Sequence, residues 1–241
     1  MIDIQNLTCS YKNNIVLDGI SAQLKGSSVI LGSNGSGKST LAKTICLLLK
    51  YSGKIELDGK DLQQFSKKEL AQKISYIPAK LDIYDEFINL KEFVLLGRFA
   101  YKEDFGNYTK EDEIIADDAI EFLNITHLKT QKMKSLSSGE AQLALIAQAL
   151  TQQSEIFIFD EPTANLDPAN TKLIAKEIKN LKKNHQVILI THDIHLAKYF
   201  ESSVLFIKDK QAVYFENNFF QDENLKRLYG VEFNNMVLNY E

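Results

Sequence analysis

Three short runs, Ser28-Val29-Ile30-Leu31, Ile156-Phe157-Ile158-Phe159 and Val187-Ile188-Leu189-Ile190, are apolar on nearly every consecutive residue rather than on alternate ones. A strand carries that pattern when both of its faces are covered, as in parallel sheets with helices on each side. Helical patterns separate the runs, so the chain is expected to form a largely parallel sheet in an α/β fold. Nearer the N-terminus, Lys54-Ile55-Glu56-Leu57 alternates and meets Asp58-Gly59, a hairpin signal, so an antiparallel piece belongs there. Lys208-Asp209-Lys210 reads as a turn between two late strands, and the tail from Glu223 as a helix followed by an extended end.

The middle of the chain, about residues 83–150, lacks strong strand signals. Thr109 is placed to cap a helix in which Ile115, Ala119, Phe122 and Leu123 share one face. This stretch is expected to be a helical lobe inserted into an α/β core made of residues 1–82 and 151–241. A length of 241 residues suits one large domain of that kind. The net charge of −4 offers no broad basic field, so nucleic acid is not an expected partner. The opening MIDIQNLTC is no secretion signal, and no run approaches the roughly 18 apolar residues of a membrane span. A cytoplasmic location is expected, with any membrane part supplied by another chain. Cys9 and Cys46 lack metal-ligand spacing, and Cys46 reads as a small core residue.

The segment Gly32-Ser33-Asn34-Gly35-Ser36-Gly37-Lys38-Ser39-Thr40 fits G-x(4)-G-K-[ST] between a buried strand and a helix. Glycines let successive backbone N–H groups curl round an anion, and the helix start adds its positive end. Lys38 would reach the β- and γ-phosphates of a nucleotide, and the Ser39 hydroxyl would ligate Mg²⁺. A chance match to the four fixed positions has odds on the order of 1% in a chain of this length.

The run ending at Phe159 is followed by Asp160-Glu161-Pro162. In open parallel sheets the site lies at the carboxyl ends of the strands. Asp160 would hold Mg²⁺, and Glu161 would orient and deprotonate an attacking water. The run from Val187 to Thr191 delivers His192 to the same kind of position, suited to contacting a γ-phosphate. His195, three residues on, finds no third ligand for zinc, and His127 and His185 read as surface residues. Leu136-Ser137-Ser138-Gly139-Glu140 precedes an apolar helix, Ala141 to Leu150. Ser137 with Glu140 fits a capping box, and a Ser-Gly-led helix start also suits phosphate. A second anion site in a chain that already has one makes sense if it faces another molecule's nucleotide.

The phosphate loop, LSSGE, IFIFDEP, TANLD and ITHD in this order resemble the ATP-binding-cassette (ABC) ATPases over essentially the whole chain. The resemblance implies a P-loop NTPase (RecA-like) core with a parallel sheet, an N-terminal antiparallel β subdomain and an inserted helical subdomain. It implies ATP with Mg²⁺, adenine stacking on Tyr11, and a head-to-tail homodimer sandwiching two ATP. Ser137, Ser138, Gly139 and Glu140 would form the signature facing the opposite subunit's nucleotide, and Asn165-Leu166-Asp167 the loop that communicates between sites. NLKEFVLLGRFAY and LYGVEF are similar to the branch that energises uptake of iron-siderophore, haem or cobalamin complexes. Its members sit on the inner face of the cell membrane with permease subunits and an extracytoplasmic binding protein.

The match has departures. The family glutamine that follows Tyr-x-Pro is replaced by Ala79, and common arginines after the signature by Ala141, Leu143 and Gln148. Alanine cannot ligate metal, and the lost guanidinium groups remove positive field. Two other readings stay open: a soluble ABC ATPase of the iron–sulfur cluster-assembly type and, given these departures, a weakly hydrolysing nucleotide-gated clamp.

Overall fold

The computed structural model describes residues 1–12, 14–80, 85–102, 106–164 and 166–230. Along the chain run β1 (Ile2–Tyr11), β2 (Asn14–Leu24), β3 (Ser28–Leu31), α1 (Lys38–Ile45), β4 (Ser52–Leu57) and β5 (Lys60–Asp61). Then come α2 (Lys67–Lys73), β6 (Ile74–Ile77), α3 (Leu90–Leu95), α4 (Lys110–Phe122), α5 (Ser138–Thr151) and β7 (Ile156–Asp160). The chain continues through α6 (Pro168–Leu181), β8 (Gln186–Thr191), α7 (Ile194–Phe200), β9 (Ser203–Lys208), β10 (Gln211–Phe215) and α8 (Asp222–Tyr229). Two compact units form, one from Met1–Gln64 with the chain from Gln186 onward, the other from Phe65–His185.

In the first unit β3 lies between β8 and β9, parallel to both, and β10 adds antiparallel to β9. All four residues of β3 are buried, which explains its unbroken apolar run. The N-terminal sheet has the order β2-β1-β4-β5 and is antiparallel throughout. On β1 the alternating residues Ile2 and Ile4, with Leu7 and Cys9 beyond a register shift, point into the core. Asp58 and Gly59 form the β4–β5 turn with φ of 51° and 83°, and Asp209 and Lys210 turn β9 into β10 with φ of 49° and 66°. Both turns lie where the dipeptide signals put them.

The second unit pairs β6 and β7 in parallel and carries the helical segment. Thr109 caps α4 through a capping box with Asp112. The buried face of α4 keeps Ala119 and Leu123 of the expected one, with Ile115 part-buried, but is turned away from Phe122. Asp112, Ala116, Ala119, Ile120 and the following Leu123 are buried, while Phe122 is 54% exposed. The reason is an ion pair. Arg98 is buried in the turn after α3, and its Nε donates to Asp112 Oδ1 at 2.7 Å. An Arg98 terminal nitrogen also donates to Gln153 Oε1 and the Thr151 carbonyl, and its guanidinium lies 3.8 Å from the Tyr101 ring centroid. Satisfying a buried guanidinium rotates Asp112 inward and sets the helix register.

His185, read as a surface residue, instead packs edge-on against Phe157 with ring centroids 4.9 Å apart. His127 is exposed. Cys46 ends α1 half-buried, and loss of solvation pushes its thiol up to about 12, so it stays neutral. Among the described residues no helix is long and apolar enough to cross a membrane. Asn165 and the extended end after Gly230 lie outside the described residues.

Replacing Arg98 with Met strands a buried carboxylate and is expected to cost about 3–5 kcal/mol. A denaturant melt reads this directly, and adding Asp112→Asn is expected to recover most of it. Burial disfavours charge on Asp112, yet Arg98 and Thr109 together hold its carboxyl below the usual range. The pair's contribution is therefore full above the unfolded carboxyl pKa of about 3.9 and is lost as pH falls through the lower folded value.

Candidate functional site

Most helices in the structure begin with a side chain that satisfies their orphan N–H groups. Ser66, Asn89, Thr109 and Ser137 do so through capping boxes, and Asp167 and Asp193 by accepting two backbone N–H bonds each. Helices α1 and α8 have no side-chain cap; at α1 the N-cap is Gly37, at φ 106° in left-handed conformation. A helix start without a side-chain cap, carrying the positive end of the helix dipole, suits an anion.

Lys38, the first residue of α1, is buried and turned back on the loop, donating to the carbonyls of Gly32 at 2.9 Å and Ser33 at 3.1 Å. The Ser36 hydroxyl is buried with no hydrogen-bond partner among the described residues. An uncapped helix start, an inward lysine and an orphaned hydroxyl together fit a bound phosphate chain. Beside them lies a cavity of about 350 Å³ lined by Asn14–Val16, Ser33–Ser36 and the β9–β10 turn, Lys208–Lys210. Tyr11, expected against adenine, is 46% exposed at the end of β1. His192 follows the last residue of β8 and is exposed, with Asp193 capping α7 behind it.

In the second unit every residue of β7 is buried, and its last is Asp160, only 3% exposed. Tyr76 on β6 donates its hydroxyl to Asp160 Oδ2 at 2.7 Å. Glu161, the next residue, adopts φ 49°. Left-handed backbone costs a non-glycine residue energy, and such strain is concentrated at functional positions. Oxygen donors of the Ser39 and Asp160 types are those that Mg²⁺ selects.

The signature turn behaves as its capping pattern predicts. The Ser137 N–H and hydroxyl both donate to Glu140 Oε2 at 2.7 Å. These two bonds, led by the hydroxyl's, hold the Glu140 carboxyl below its usual range. Ser137 and Ser138 are exposed and Gly139 is buried. Asp167 caps α6 in the same unit. Of the substituted arginine positions, Leu143 is buried in α5, a helix apolar on nearly all sides. An aliphatic residue there joins the core rather than vacating a surface.

Two contributors were missed in the sequence. Tyr76 was only a landmark before Ala79, and nothing in a strand pattern distinguishes a hydroxyl that reaches a neighbouring strand. Asn170 packs against Gly139, and no local spacing links them.

A sequence profile described as "ABC transporter" matches residues 17–164. The chain is 34% identical over 235 residues to a manganese transport system ATP-binding protein of Listeria innocua, covering 95% of this chain and 96% of that one. It is 32% identical over 216 residues to an achromobactin transport ATP-binding protein of Dickeya dadantii (88% and 80%). Its fold matches a solved metal-chelate type ABC transporter in an inward-facing conformation, with a TM-score of 0.83 and 26% identity over 96% of this chain and 89% of that one. A dimeric bacterial ABC transporter cassette gives a TM-score of 0.77 and 26% identity, covering 88% and 96%.

Tyr76→Phe deletes one hydrogen bond to a buried carboxylate. It is expected to leave the fold intact and to raise the Mg²⁺ requirement of ATP hydrolysis about tenfold. An unchanged Mg²⁺ titration would show that the hydroxyl does not orient Asp160.

Proposed function

Because the chain belongs to the ABC transporter ATP-binding family and is an ATPase, we propose that it works as one half of a head-to-tail pair driving a membrane importer of metal ions or metal chelates. The reading of the cargo is carried by relatives that span most of the chain and are named for manganese and achromobactin transport. Iron-siderophore, haem or cobalamin complexes remain the cargo that the sequence patterns favour. The soluble cluster-assembly alternative gains no support from these relatives, whose names are those of transporters.

Each residue's part follows from its chemistry. The phosphate loop binds ATP by its backbone N–H groups, and Lys38 balances charge on the outer phosphates. Ser39 and Asp160 would hold Mg²⁺, which when bound neutralises charge developing on the transferred phosphoryl group. Glu161 takes the proton of the attacking water. His192 contacts the γ-phosphate, and Tyr11 stacks on the base. Ser137 and the start of α5 meet the γ-phosphate held by the opposite subunit, so closure needs two ATP. Leu96 and Phe99 after α3, and Phe87 before it, are 42%, 72% and 77% exposed. Their exposure supports docking of a permease on the helical segment, with the chain held peripherally on the inner face of the membrane.

Glu161→Gln is expected to lower phosphate release by about 10²–10⁴ while ATP still binds. Turnover that persists would remove Glu161 as the base. Uptake of radiolabelled manganese and of a ferric siderophore, measured in vesicles with the cognate permease, tests the cargo class. ATP-dependent uptake of neither would overturn it.

A further inference from the structure

We infer that Asn170 is a positioning residue that ties the signature turn at the start of α5 to the Asp167 cap of α6, so that the two shift together when a pair closes on ATP. The inference rests on the paired reading proposed above, and adds to it a part that the signature and the Asp167 loop do not contain.

The contact is steric on one side and hydrogen-bonded on the other. Gly139 is buried at the second position of α5. A Cβ built on it would lie 2.5 Å from Asn170 Oδ1 and 2.6 Å from Nδ2, so the carboxamide fills the space a side chain would take. The same amide donates from Nδ2 to Asp167 Oδ2 at 2.6 Å. Asp167 Oδ1 meanwhile accepts the N–H groups of Ala169 and Asn170 at 2.9 and 3.0 Å. One carboxylate thus caps α6 and grips the amide that packs on α5.

Two helix starts held this close bring two positive dipole ends together, a repulsive arrangement. The Glu140 and Asp167 carboxylates offset it, and the amide joins the ends without adding charge. The packing leaves no slack. A displacement of exposed Asp167 carries the amide with it, and the amide displaces Gly139 and the adjoining Ser137 and Ser138. Contact with the opposite subunit at the Asp167 loop is thereby felt at the turn that meets the γ-phosphate.

The test uses the full chain in the Glu161→Gln background, where ATP stays bound. Light scattering gives the ATP concentration for half-maximal pairing, and a fluorescent ATP analogue gives affinity at protein concentrations too low for pairing. Asn170→Ala is expected to raise the pairing midpoint about tenfold, the worth of one charge-assisted hydrogen bond, with single-chain affinity unchanged. Asp167→Ala is expected to do the same, and the double variant no worse than either alone. A pairing midpoint equal to the parent's, or additive losses in the double variant, would overturn the inference. A parent that never pairs would instead overturn the paired reading, and this inference with it. If Asn170→Ala melts below the assay temperature, Asn170→Ser carries the same expectations.

Discussion

A strand with every side chain buried can present polar groups only at its end. In β3 and β7 no position along the strand is open to solvent, and in β8 only Gln186 is partly so. Polar groups therefore stand where each strand stops: in the first unit the glycine-rich loop after β3 and His192 after β8, and in the second Asp160 and Glu161 at the end of β7. Covering both faces of these strands makes the core and simultaneously determines where a charged ligand can be met. Helix α1 depends on the same arrangement, since its start must open towards an anion at the end of β3.

How helix ends are satisfied separates structure from function in this chain. The capped helices spend their first N–H groups on Ser, Thr, Asn or Asp side chains. Helix α1 has glycine where a side-chain cap would be. The start of α5 lies between these cases. Its capping box holds the turn in shape, while Ser137 and Ser138 remain exposed. A capping box and an anion site are thus compatible, because four N–H groups are orphaned and the box uses only part of them.

One departure from the family pattern has a local physical answer, while Ala79 removes a possible metal ligand and nothing in the structure replaces it among the described residues. Leu143 trades a guanidinium for burial in a helix covered nearly all round. Arg98 and Asp112 place a matched ion pair in the helical segment, where either charge alone would be unstable.

The sequence alone determined the α/β class, the antiparallel N-terminal piece, the turns at Asp58-Gly59 and Lys208–Lys210, the cap at Thr109, and the place of the glycine-rich loop after β3 and of Asp160 at the end of β7. Each of these is encoded by neighbours: an unbroken apolar run, a turn dipeptide, a capping residue three positions from its acid. Only the tertiary structure decided which face of α4 is buried, that His185 packs on Phe157, that Tyr76 bonds Asp160 and that Asn170 packs on Gly139. Those facts depend on partners 84 residues apart for Tyr76 and Asp160 and 14 apart for Arg98 and Asp112. No local pattern reports them, because a buried charge or amide takes whichever partner folding brings within reach, and periodicity counts only the residues of its own element.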